Sequence, residues 1–82
     1  MELRPKFDVG GMFEVNPGVN ALILSANYDD TEKKFFYVIK FLVMSPKVKD
    51  GNFYRMNSNK RWSEPALYDK MSRSKWRYLS PK

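Results

Sequence analysis

The chain has 82 residues, which is one small domain, and 43% of them are hydrophobic, so it folds rather than staying disordered. Cysteine and histidine are both absent, which excludes disulfide staples, thiolate or imidazole metal sites and Cys/His nucleophile–base pairs. Fifteen Lys and Arg against nine Asp and Glu give a net charge of +6, unevenly spread: residues 1–32 carry two basic and six acidic groups, residues 33–82 thirteen basic and three acidic.

Along the chain, the first segment, MELRPKFDV, lacks the apolar run of a secretory signal. The first strand is expected at Met12–Val15, closed by the turn triplet Asn16-Pro17-Gly18. Val19–Tyr28 alternates, with Val19, Ala21, Ile23 and Ser25 on one face. Asp29–Lys33 is a polar hairpin connection. Lys34–Met44 is the strongest strand signal. Phe35, Tyr37, Ile39, Phe41 and Val43 share one face; Phe36, Val38, Lys40, Leu42 and Met44 share the other, which Lys40 marks as the wetter one. This longest apolar stretch is too short for a transmembrane helix, so no membrane partner is expected. With no cysteine, an intracellular, cytoplasmic location follows, or the host cytoplasm for a viral chain.

Ser45-Pro46 ends that strand, because proline cannot donate to a ladder, and a basic loop runs to Gly51. Asn52–Met56 and Lys60–Trp62 are predicted as short strands. Ser63-Glu64-Pro65 reads as the start of a short helix to about Met71, with Leu67, Tyr68 and Met71 on one face. Lys75–Leu79 is a last strand or a docked tail. The whole is mainly β: one domain over 1–82, with a core at about 7–70 and a basic C-terminal segment at 71–82.

Val9-Gly10, the run Tyr37-Val38-Ile39-Lys40-Phe41 and the segment Trp62-Ser63-Glu64-Pro65-Ala66-Leu67 together resemble the small SH3-like antiparallel barrels of the chromo, Tudor and KOW type. The likeness spans roughly residues 7–70, and the stretch between Phe41 and Trp62 is longer than is usual there. It implies an SH3-like barrel. It also implies an aromatic cage for methylated lysine at Phe13 and Phe41 beside Glu14, positions at which phenylalanine is more often core.

No pattern for catalysis stands out, and the chain reads as a non-enzyme without cofactor or metal. Asp29-Asp30 suits a hairpin turn better than an acid/base pair, and Gly10-Gly11 lacks phosphate-loop spacing. The clearest chemical signal is the interleaving of cations with rings in the basic half. Lys47, Lys49, Arg55, Lys60, Arg61, Arg73, Lys75 and Arg77 are candidates for phosphate contact, and Tyr54 and Trp76 for base stacking. The function expected from this is binding of DNA or RNA. The alternative is a protein-interaction module recognising an acidic surface, such as a viral or phage protein that binds and inhibits a host complex.

Overall fold

A computed structural model describes residues 4–45 and 47–81. In chain order the elements are β1 (Met12–Asn16), β2 (Val19–Asp29), β3 (Lys34–Val43), α1 (Gly51–Met56), β4 (Lys60–Ser63), α2 (Glu64–Arg73) and β5 (Arg77–Leu79). The strands form one sheet in the order β4-β3-β2-β1-β5, every neighbouring pair antiparallel. The sheet is open, with β4 and β5 as its edges, so the mainly β expectation holds and barrel closure is not seen. The strand-ending role given to Pro46 lies outside the described residues.

Local chemistry sets the turns. Asn16-Pro17-Gly18-Val19 reverses the chain with Gly18 at φ 90°, a value open to glycine at little cost, and a side chain there would press on Val48 at 3.3 Å. The β2–β3 connection closes with Lys33 in the left-handed region, while the Glu32 amide donates to the Asp29 carboxylate at 2.9 Å. That amide, with help from Arg61, holds the Asp29 carboxyl below its ordinary pKa.

A bulge settles which face of β2 is buried. Ile23 pairs with Ile39, but Ser25 already pairs with Val38, so Leu24 is the extra residue and is exposed. Before it, Val19, Ala21 and Ile23 point inward; after it the phase shifts, and Ala26 and Tyr28 stand opposite Tyr37 and Phe35. On β3 the alternation is unbroken: Tyr37, Ile39 and Phe41 are buried and Lys40 is exposed, as the pattern predicted. In β1 ordinary alternation buries both Phe13 and Val15, and a second register irregularity follows between Glu14 and Asn16.

Aromatic rings account for most of that core. Phe7 meets Phe13, Tyr37, Tyr68 and Tyr78 at centroid distances of 5.0–5.4 Å. Phe41 meets Tyr54, Trp62 and Trp76 at 5.1–6.0 Å, and Phe13 joins the two groups through Trp76. Trp62 of β4 and Trp76, just ahead of β5, are 5.8 Å apart, so the sheet curls until its two edge regions meet through their side chains. Phe13 and Phe41 are both buried in this packing, which leaves no open aromatic cage.

Two helices cover the sheet. α2 starts as predicted: the Ser63 hydroxyl accepts the Ala66 amide at 3.3 Å, Pro65 sits in the first turn and Leu67 is fully buried. It runs two residues past the expected Met71. Tyr68 leans against Phe7 but stays exposed. The Tyr37 hydroxyl ties three regions together. It donates to Glu64 at 2.6 Å and accepts the amides of Lys6 and Phe7 at 3.1 and 3.3 Å. Burial first, then that carboxylate, push its pKa well above the ordinary value.

The segment predicted as a strand at Asn52–Met56 is instead α1. Asp50, at φ 64°, turns the chain into it. Asn57 Nδ2 donates to the Phe53 carbonyl at 2.8 Å, and the Ser58 hydroxyl donates to the Tyr54 carbonyl at 3.1 Å. Ser58 also accepts the Phe41 amide at 3.0 Å, and Asn16 donates to the Tyr54 hydroxyl at 2.6 Å. These long-range bonds fix one buried residue, Tyr54, on a short helix and override the strand preference of the Phe-Tyr pair.

Candidate nucleic-acid interface

The ten residues singled out by sequence fall into three groups. Tyr54 and Trp76, the predicted stacking rings, are 7% and 5% exposed and belong to the core. Their rings pack against Phe41, Phe53, Phe13 and Trp62, so although both line one depression, as folded neither is open enough to stack a base. This corrects the sequence reading: the chain is short, and its core uses the rings nearest the basic residues.

Three arginines are tied to carboxylates. Arg61 pairs with Asp29 at 3.2 Å and lies 4.0 Å over the Phe36 ring. Arg73 pairs with Asp69 at 3.0 Å, one helical turn back, and Arg77 with Glu14 at 3.5 Å across the β1–β5 ladder. All three side chains are largely exposed, so these pairs add little stability, but each carboxylate offsets the charge of its arginine.

The remaining five, Lys47, Lys49, Arg55, Lys60 and Lys75, are exposed and have no ion pair among the described residues. Four of them line adjoining depressions at one end of the molecule, where the β1–β2 turn, the loop before α1, α1 itself and the α2–β5 connection converge. One depression of about 490 Å³ lies between Val48, Asn52, Phe53 and Arg55, and one of about 470 Å³ contains Lys47 and Lys49. A third, of about 360 Å³, is walled by Phe53, Tyr54, Lys70, Ser74 and Trp76, and a fourth, of about 470 Å³, by Glu14, Pro17 and Lys75. They share Val15, Asn16, Pro17, Ser45, Val48, Asp50 and Phe53, so they form one continuous basin. Lys60 stands apart on β4, opposite Ile39.

Three residues of this basin were missed as site residues. Phe53 is 44% exposed, and Lys70 reaches over it, 5.9 Å from the ring centroid. Asp50 lines three of the four depressions, and its charge adds to burial, the larger cause, in raising the Tyr54 pKa. Neighbouring side chains part in a strand as well as in this helix, so local pattern does not say which of Phe53 and Tyr54 is buried; the contacts of Tyr54 with Phe41 and Asn16 decide it. Among the described residues no group of three or more acidic side chains could hold a metal ion, and no helix is long and apolar enough to cross a membrane.

No family model, curated protein or solved structure matches this chain. The reading of the basin therefore rests on its own chemistry. It presents five cations, one unpaired carboxylate and one exposed ring around a concave surface, and that set suits a flexible polyanion with flat groups.

Proposed function

We propose that the protein is a non-enzymatic nucleic-acid-binding domain, built as a curled SH3-like barrel and binding through its loop end. The observation that carries this reading is the gathering of Lys47, Lys49, Arg55, Lys70 and Lys75 around one basin while the strand arginines are neutralised. Five antiparallel strands, a helix ahead of the last one, and edges that meet at Trp62 and Trp76 support the SH3-like scaffold.

The test is electrophoretic mobility and fluorescence anisotropy on DNA and RNA, with the four-fold charge reversal Lys47→Glu, Lys49→Glu, Arg55→Glu and Lys75→Glu. The wild-type protein binds with an affinity that falls steeply with salt, and the reversed protein loses binding by more than about a hundredfold. Wild-type protein that binds neither polymer at low salt overturns the reading.

A second reading has its own observation. On the outer sheet face Met12 stands opposite both Leu22 and Leu79, and Leu24 is exposed beside them at the bulge. This apolar row, crossed by Lys40 opposite Leu22, suits a protein partner. Affinity purification with and without nuclease separates the two: a captured protein that survives nuclease and the four charge reversals favours the second.

A further inference from the structure

Building on the nucleic-acid reading, we infer that the basin takes a single strand, with one unpaired base on Phe53 and adjoining phosphates on Lys49, Arg55 and Lys75. A base needs an open ring face. Tyr68 is similarly exposed, but its ring leans on Phe7, whereas Phe53 meets only Tyr54 among the rings, edge to face at 84°. That contact takes at most one face of Phe53. The Lys70 ammonium lies 5.9 Å from the centroid, the outer limit of a cation–π contact, so an entering base displaces it at little cost and frees it for a phosphate. A duplex keeps its bases stacked and offers no free face to a ring walled into a depression, and unstacking one step is costly.

Lys75 supplies a second, independent observation. It follows α2 at φ 62°, a left-handed conformation that glycine or asparagine adopts with less strain and that commonly ends a helix with glycine. Its neighbours Ser74 and Trp76 wall the depression under Phe53, and Lys75 lines the next one. The fold alone favours glycine here; the lysine places an ammonium on the path of the strand.

The test uses the full chain and fluorescein-labelled oligothymidylate, oligouridylate and a duplex of equal length, read by anisotropy across a salt series, with polyaspartate as competitor. A single strand binds at least about tenfold tighter than the duplex. Phe53→Ala loses about tenfold on single strands, with its salt slope and Tm unchanged. Lys75→Gly weakens binding a few fold, flattens the salt slope by about 0.7, and raises Tm. The opposite signs of binding and stability are what a merely structural lysine would not give. Equal affinity for duplex, wild-type affinity in Phe53→Ala, or full displacement by polyaspartate at matched charge overturns the single-strand inference and leaves the basic basin standing. Wild-type affinity in Lys75→Gly removes the lysine's role. No binding of any oligonucleotide overturns the nucleic-acid reading itself.

Discussion

The framework and the loop end treat the same residue types differently. On the framework, arginines meet acids brought from the acidic segment 1–32: Glu14 reaches Arg77 through the β1–β5 ladder, and Asp29 reaches Arg61 at the end of the hairpin. Its rings close on one another around Phe7 and Phe41. At the loop end, lysines carry no carboxylate partner among the described residues, and Phe53 keeps a face in solvent. The acidic and basic segments of the sequence are thus mixed by folding, and among the described residues unpaired positive charge gathers at the loop end, with Lys40 and Lys60 as its outliers on the strands. Framework substitutions should read out in stability, and loop-end substitutions in binding.

The largest expected effect tests Trp76, which belongs to the framework although it also lines one depression of the basin. Its ring packs on Phe13, Phe41 and Trp62. Trp76→Ala should cost about 3–5 kcal/mol, a large share of the stability of a domain this small. Trp76→Phe fills part of the space and should leave a folded protein with lower Tm but oligonucleotide affinity close to wild type. Chemical denaturation and anisotropy on that variant decide the matter. Wild-type stability combined with lost binding would move Trp76 into the site.

Tyr37 comes next. Its hydroxyl donates to Glu64 and receives the Lys6 and Phe7 amides, so Tyr37→Phe leaves those partners unsatisfied and should cost about 1–3 kcal/mol without touching binding. Burial of the phenol, and then that bond, make stability depend on alkaline pH. The folded state holds the phenol proton above the ordinary value, so this contribution is full below about pH 10 and is lost as pH rises past it, where the unfolded chain ionises first. Between about pH 9 and 11 the wild-type Tm should therefore fall more steeply than that of Tyr37→Phe. Parallel curves would place the hydroxyl outside the folding network.

Most of the framework was legible from the residues. The alternation of Lys34–Val43, the Pro-Gly turn and the Ser63 cap each act over a few positions, and each appears where the pattern put it. Three features escaped because their causes lie far off in sequence. The bulge at Leu24 shifts which residues of β2 face inward, and only the pairing with β3 reveals it. The helix at Gly51–Met56 depends on Asn16 and Phe41, 38 and 17 residues from their bonding partners Tyr54 and Ser58. The division of cations into tied and untied depends on contacts such as Arg77 with Glu14, 63 residues apart. Composition shows that one half is basic, but it cannot tell an arginine on a ladder from a lysine on a loop.

The smallest expected effect is the most direct test of that division. Arg61→Gln, Arg73→Gln and Arg77→Gln together remove as much charge as Lys47→Gln, Lys49→Gln and Arg55→Gln. If charge alone mattered, both triple variants would weaken binding equally. The arginines already carry carboxylates at 3.0–3.5 Å, so their loss exposes Asp29 and Asp69 outside the basin and Glu14 only at its Lys75 margin, away from Phe53's depressions. Screening over about 8–10 Å at physiological salt confines the damage to those surfaces. The arginine variant should bind within about threefold of wild type, with Tm lowered by less than about 3 °C, since exposed pairs contribute little. The loop-end variant should lose more than about tenfold and flatten the salt slope by about two. Equal losses in the two proteins would place the polyanion across the strands instead, on the outer face of the sheet, where Arg77, Lys40 and Arg61 stand on three successive cross-strand rows.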